Sequence, residues 1–486
     1  MNRQIRIVAL IALVLFGVAF VNLNWVQLVN AEHLANNPGN VRVILKEYAI
    51  ARGPILSSDE KTVALSVKTP NEDLKYLRTY PDGATFAHVS GYYSSIYGRA
   101  QLESTYNKEL TGQGGGLTMQ KLSDQLFGGT TQGDTVVTTI SEQLQKAAAA
   151  ALGTHKGAIV ALDPTTGAVL AMVSSPSYDP TTISSHDANA DTKAWKALQA
   201  DPGKPMLNRA ASQTYPPGST FKIITAAAAL QNGLGVSTSY GPTGQFLPAQ
   251  TTSPIKNFGN EVCGGDMAQA LAQSCNVYFA RLATQLPAGA LAKTARDFGF
   301  GEAPPLDIPD VASRLPTDAD LKSPAFTAQS AIGQYNVAGT PLQMALVAAG
   351  IANQGKIMTP RIVKEVRDPQ SNVIQQSKPS VWKTAVPPDV AATLTTLMEG
   401  VVHAGTGTAA QIPGVKVAGK TGTAQTAAGQ PPHAWFIAFA PADAPKIAVA
   451  VLVENGGNLG SEATGGKLSA PIAQQVMLAD KQVRGW

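Results

Sequence analysis

Three short polar motifs constrain this chain more than anything else in it: Ser219-Thr220-Phe221-Lys222, Ser274-Cys275-Asn276 and Lys420-Thr421-Gly422-Thr423. They stand 55 (Ser219 to Ser274) and 201 (Ser219 to Lys420) residues apart. To serve one chemistry they must meet in one cleft, so distant elements have to converge. The spacing matters because a bare S-x-x-K is cheap. Ser58-Asp59-Glu60-Lys61 and Ser380-Val381-Trp382-Lys383 match it as well. Only the Ser219 copy has surroundings that suit a reactive group.

Those surroundings are physical. Pro216-Pro217-Gly218 forms a stiff turn that resists helix, and Ser219 follows as a residue favoured at helix starts. From Phe221 to Leu230 the run is apolar nearly all round and closes at Gln231-Asn232-Gly233, which reads as a buried helix. Ser219 then lies at its positive end, with Lys222 one turn along on the same face. A lysine inside an apolar helix loses solvation, so its pKa falls and it can act as a base. Taken alone, the segment also fits a snorkelling lysine beside a capping serine.

Ser274-Cys275-Asn276 interrupts two amphipathic runs, Asp266 to Gln273 and Val277 to Leu282. It reads as a tight helix–loop–helix tip, although an ordinary capping turn has the same letters. Lys420-Thr421-Gly422-Thr423 follows the alternating Val415 and Val417 and reads as a strand, with Thr421 and Thr423 on one side. Gly422 leaves room there for a substrate backbone. The same stretch, Gly414 to Thr421, also matches the phosphate-loop pattern GxxxxGK(S/T). Valines where the nest should be, and Gly422 with Gly429-Gln430-Pro431-Pro432 where a helix should open, argue against nucleotide binding.

Together the motifs resemble the active-site signature of class B penicillin-binding proteins. The resemblance extends over about residues 40 to 475. Arg52-Gly53-Pro54-Ile55, Ala161-Leu162-Asp163-Pro164-Thr165-Thr166-Gly167, Ser174-Ser175-Pro176-Ser177-Tyr178-Asp179-Pro180, Gly333-Gln334, Thr340-Pro341-Leu342-Gln343, Ala352-Asn353-Gln354-Gly355 and the segment from His433 to Pro441 share in it. It implies a penicillin-binding/serine β-lactamase-like transpeptidase domain of α+β class, an antiparallel sheet flanked by helices, behind a smaller N-terminal module. It implies a peptidoglycan D,D-transpeptidase that works through a Ser219 acyl-enzyme and is open to β-lactams. Lys222 would be the base, Ser274 a proton relay and Asn276 a partner of Lys222 and the substrate amide. Lys420, Thr421, Gly422 and Thr423 would bind the substrate. Trp435 would line the cleft, though an aromatic on a strand equally suits a core. The alternative is a β-lactamase or D,D-carboxypeptidase hydrolysing the same acyl-enzyme, but no glutamate is evidently placed to activate water.

The remaining features bound the reading. At 486 residues and 44% apolar content the chain can bury more than one core. A net charge of +4 without basic runs argues against nucleic acid. Scattered histidines and two cysteines indicate no metal and no cofactor; Cys263 and Cys275, 12 residues apart, flank the helix before the Ser274 tip and could be free or bridged. Arg3 and Arg6 precede fifteen residues, Ile7 to Val21, without a polar side chain. This run suits either a signal-peptide core or a retained anchor; the resemblance favours the anchor and an extracytoplasmic catalytic domain. The expected division is 1–30 anchor, 31–150 dimerisation or pedestal module opening on a strand at 41–45, and 151–486 transpeptidase domain. The module is too short for a glycosyltransferase, so polymerisation falls to a membrane glycosyltransferase or a division or elongation partner.

Overall fold

Alternating apolar runs in the second half of the chain build its central sheet. The computed structural model describes residues 2–30, 47–71, 74–114, 132–426 and 429–486; the strand expected at 41–45 lies outside them. Five antiparallel strands lie in the order Ala418–Ala424, His433–Ala440, Ile447–Val453, Gly157–Leu162 and Val169–Ser175. An apolar run, the turn residues Asp163-Pro164-Thr165-Thr166-Gly167 and a second apolar run predict a hairpin from Gly157 to Val173, and the two strands pair accordingly, from Gly157 with Ser175 to Leu162 with Val169. Asp163 accepts from the Thr165 and Thr166 backbone N–H groups in its turn, and Gly167 takes φ +74°.

Both faces of this sheet are buried, and the two-residue period divides them. Trp435, Ile437 and Phe439 face one core, while Phe436, Ala438 and Ala440 face the other. Against the first packs Pro341–Ala352, an almost wholly apolar helix capped by Thr340, whose hydroxyl accepts from Gln343 N. Against the second pack Glu142–Leu152 and Ala470–Arg484. An amphipathic helix buries one stripe, whereas Pro341–Ala352 is enclosed on every side, so its lack of a polar face costs nothing.

A second sheet of six strands runs Val373–Gln376, Val363–Arg367, Thr135–Thr138, Ile55–Leu56, Thr62–Lys68, Tyr76–Thr79. Two of its strands come from beyond residue 360, in the long segment between the central-sheet strands Val169–Ser175 and Ala418–Ala424, so the second half of the chain helps to build it. Beside it Arg52 and Arg78 hold the buried Glu103 carboxylate at 2.5 and 2.6 Å. A buried carboxylate needs such partners, since an unpaired one costs several kcal/mol. Asp307 ties the parts together: it accepts from the Tyr106 hydroxyl (3.1 Å) and from the backbone N–H groups of Ile362 and Val363.

The N-terminal helix Asn2–Asn24 continues through a wider turn, Trp25–Val29. The apolar span Arg3–Val29 has 27 residues, and an 18-residue window within it reaches a mean hydropathy of 2.5. At 1.5 Å per residue it extends about 40 Å, enough to cross a membrane's hydrocarbon core. It is the one such helix among the described residues.

Candidate active site

The Ser219 motif begins in a turn. Gly218–Phe221 forms a tight 3-10 turn and the α-helix Lys222–Gln231 starts at the lysine. Ser219 therefore stands inside the turn and is not the helix cap expected from its residue type. Pro217 takes the capping position, and the Thr220 hydroxyl donates to Pro217 O at 2.7 Å. Gly218 adopts φ +54°, and its amide donates to Gly333 O. The Ser219 side chain is half-buried, and its hydroxyl has no hydrogen-bond partner among the described residues.

The Ser274 tip is a helix–loop–helix as its letters suggest, with Met267–Ala272 before it and Asn276–Ala283 after it. Asp266 caps the first helix through a reciprocal box with Gln269. Ser274 itself takes the left-handed φ +59°, which turns the chain sharply and aims its groups at the buried lysines. A disulfide joins Cys263 to Cys275, the residue next to Ser274, and settles the pairing that sequence left open.

Ala418–Ala424 is the edge strand beside the turn, so Lys420 lies mid-strand and no helix opens there, as the rejection of a phosphate loop requires. Gly422 is needed for a different reason from the one expected. A Cβ there would lie 2.9 Å from Pro217 O, Thr220 Cγ2 and Trp435 Cβ, so its bareness admits the protein's own serine turn. Trp435 takes the core position that its place on a strand allowed, and does not line the cleft. It is fully enclosed in the core and its indole N–H donates to Pro216 O at 2.9 Å, supporting the turn from beneath. Thr421 is buried, its hydroxyl 2.6 Å from that of Thr406; Thr423 is half-buried, and its carbonyl abuts Gly218.

The three motifs converge on two lysines. Lys222 Nζ donates to Ser274 O at 2.6 Å and Asn276 Oδ1 at 2.7 Å, with Ser274 Oγ at 3.4 Å. Lys420 Nζ donates to Ser274 Oγ at 2.8 Å and to Thr421 O at 3.1 Å. The Asn276 amide N–H donates in turn to Lys256 O, which directs its oxygen at Lys222. Both lysines are fully buried and neither meets a carboxylate among the described residues. Burial, reinforced by the Lys420 charge, holds Lys222 well below the usual lysine range; burial pushes Lys420 down to about 7.

Comparison with known proteins accords with this geometry. The penicillin binding protein transpeptidase domain matches residues 157–478, and the penicillin binding protein A dimerisation domain matches residues 52–136. The chain belongs to the penicillin-binding protein transpeptidase family. Within that family it is 42% identical to the peptidoglycan D,D-transpeptidase PbpA of Mycolicibacterium smegmatis, over 99% of both chains. It is 40% identical to PbpA of Mycobacterium tuberculosis, again over 99% of both. The solved ceftriaxone acyl-enzyme of M. tuberculosis penicillin-binding protein A superposes with a TM-score of 0.85 at 40% identity, over 90% of this chain and 99% of that one. This penicillin-binding protein thus carries the family's class B architecture.

Three residues packed against the motifs were missed by motif reading. Thr406 bridges the tip helix and the strand, its amide on Ala272 O and its hydroxyl on Thr421. Tyr215 and Glu454 lie behind the serine turn. None belongs to a recognisable pattern, because each makes its contact across more than ten residues of chain.

Proposed function

We propose that this penicillin-binding protein is a peptidoglycan D,D-transpeptidase acting through a Ser219 acyl-enzyme. The observation that carries the reading is the pair of hydrogen bonds from Lys222 to Ser274 O and Asn276 Oδ1. A neutral amine has two N–H donors, and these two short bonds occupy both; its lone pair then faces only the more distant Ser274 Oγ at 3.4 Å and can turn to the Ser219 hydroxyl, three residues earlier in the chain. The depressed pKa of Lys222 supports that neutral state.

Ser219 Oγ attacks the carbonyl carbon of the penultimate D-Ala of a stem peptide, and its proton passes to Lys222. The C–N bond breaks, and the terminal D-Ala leaves as an amine that takes a proton through Ser274. An amine of a second stem then attacks the ester, forms the cross-link and returns a proton to Ser219 Oγ. Lys420, charged below pH about 7, attracts the stem's terminal carboxylate, and the Thr421 and Thr423 hydroxyls bind it. The backbone N–H groups of Ser219 and Thr423 form the oxyanion hole, each donor worth about 3 kcal/mol. The closeness of Gly218 to the Thr423 carbonyl supports that pairing. Trp435 acts indirectly, by holding Pro216.

The N-terminal span remains as an anchor with Arg3 and Arg6 on the cytoplasmic side and the catalytic domain outside. Residues 31–150 form the pedestal and 151–486 the transpeptidase domain, and glycan polymerisation falls to a membrane glycosyltransferase partner. The test is intact mass after incubation with penicillin, beside Ser219→Ala. A lasting single adduct lost in the variant supports the reading. Rapid penicillin turnover without an adduct replaces it with a hydrolase.

A further inference from the structure

Behind the serine turn lies a buried polar cluster that the chemistry above does not use. Glu454, the first residue after the strand Ile447–Val453, receives the Tyr215 hydroxyl at 2.7 Å and Arg209 Nε at 2.9 Å, both on Oε1; Lys156 Nζ lies 3.2 Å from Oε2. Arg209 is fully buried, and its other nitrogens donate to Lys204 O and Gly203 O. Burial alone would raise the Glu454 carboxyl, but the Tyr215 hydrogen bond and the Arg209 and Lys156 charges hold it below the usual carboxylate range. Burial and Glu454 together push the Tyr215 phenol up, so it remains a donor.

Tyr215 opens the segment Tyr215-Pro216-Pro217-Gly218-Ser219. Its backbone exchanges two hydrogen bonds with Gly339, at 2.9 and 2.8 Å. Its ring stands edge-on to Trp435, which holds Pro216 O, and to His433. The two prolines and the Gly218 turn are stiff, so a displacement at Tyr215 passes to Ser219 over four residues with little to absorb it. A nucleophile displaced by about 1 Å loses roughly a hundredfold in rate, so the anchor need yield only slightly to be felt.

We infer that Glu454 is a positioning residue for the nucleophile, acting through the Tyr215 hydroxyl to set where Ser219 stands relative to Lys222 and the edge strand. The ion pair with Arg209 holds the carboxylate still and the tyrosine transmits its position. The inference rests on Ser219 being the acylated residue, and extends that reading from the cleft to the layer beneath it.

The test follows penicillin acylation in the full chain for Tyr215→Phe, Glu454→Gln and the double variant. Binding is separated from the first-order acylation step, and rates are expressed per acylatable site. Tyr215→Phe keeps the ring and removes one bond; it should slow the acylation step about tenfold and leave initial binding within about twofold. The double variant should be little slower than the slower single one, because both act through one contact. A purely structural role would lower the fraction of acylatable protein without changing the rate per site, and that result would overturn the inference. So would wild-type rates in Tyr215→Phe or strictly multiplicative effects in the double variant. If wild type forms no adduct, or Ser219→Ala still forms one, the acyl-enzyme reading fails and takes this inference with it.

Discussion

At the residue scale the site is defined by two buried lysines that meet no carboxylate among the described residues. Their protonation sets the pH dependence. Lys222 must be neutral to accept a proton, so acylation falls on the acid side as its lowered pKa is passed. Lys420 must be charged to attract a carboxylate, so apparent affinity falls above pH about 7. Acylation rates from about pH 5 to 9 should trace a bell, with coupled limbs that belong to the pair. Lys420→Arg, charged throughout, should remove the alkaline limb, and an unchanged limb would assign it elsewhere. Stability carries the opposite sign from an ordinary ion pair. Between about pH 7 and 10 the unfolded lysines hold protons that the folded ones lack, so stability rises with pH across this window. Lys420→Met should accordingly abolish rapid acylation yet stabilise the fold by about 1–3 kcal/mol in urea unfolding at pH 7.

At the scale of elements, the site exists because a turn, a helix tip and an edge strand touch at points that admit no extra atom. Gly422→Ala would place a methyl 2.9 Å from Pro217 O and Thr220 Cγ2, parting strand from turn. About 2 kcal/mol of stability and at least tenfold in acylation rate should be lost, measured by thermal unfolding and adduct formation. The Cys263–Cys275 bridge holds the tip from its other side. Closing a loop of 12 residues contributes about 3 kcal/mol in the chain-entropy account. Cys263→Ser should lower stability by about that much and slow acylation without affecting the Lys222 helix. Unchanged rates would show that the capping box and Asn257, which accepts from Val277 N, suffice to shape the tip.

At the scale of the whole molecule, the sheet containing Ile55–Leu56 is completed by strands from beyond residue 360, and Asp307 clamps Tyr106 to that crossing segment. The N-terminal module and the catalytic domain are thereby joined by backbone pairing as well as by covalent linkage. Asp307→Ala should leave two buried amides without their acceptor and cost about 2–4 kcal/mol. Two separated unfolding transitions in calorimetry are expected, with cleavage near residue 362 in limited proteolysis. One intact cooperative transition would mean that strand pairing alone couples the parts.

Much was legible in the residues themselves. The three motifs, the helical run from Phe221 to Leu230, the Ser274 tip, the hairpin from Gly157 to Val173 and the strand carrying Lys420 all follow from local pattern, because caps, turn residues and apolar period act within a few positions. The resemblance to the family lay in the order of those motifs and in the segments around them. The uses of Gly422 and Trp435, the serine's place inside a 3-10 turn, the disulfide and the shared six-stranded sheet did not. Each depends on what arrives from far along the chain: Pro217 against Gly422, Pro216 over Trp435, residues 363–376 beside Thr135–Thr138. A residue's letter records which contacts it can make; only the packed fold decides which of them it does make, since the partner's position is set by every element between them.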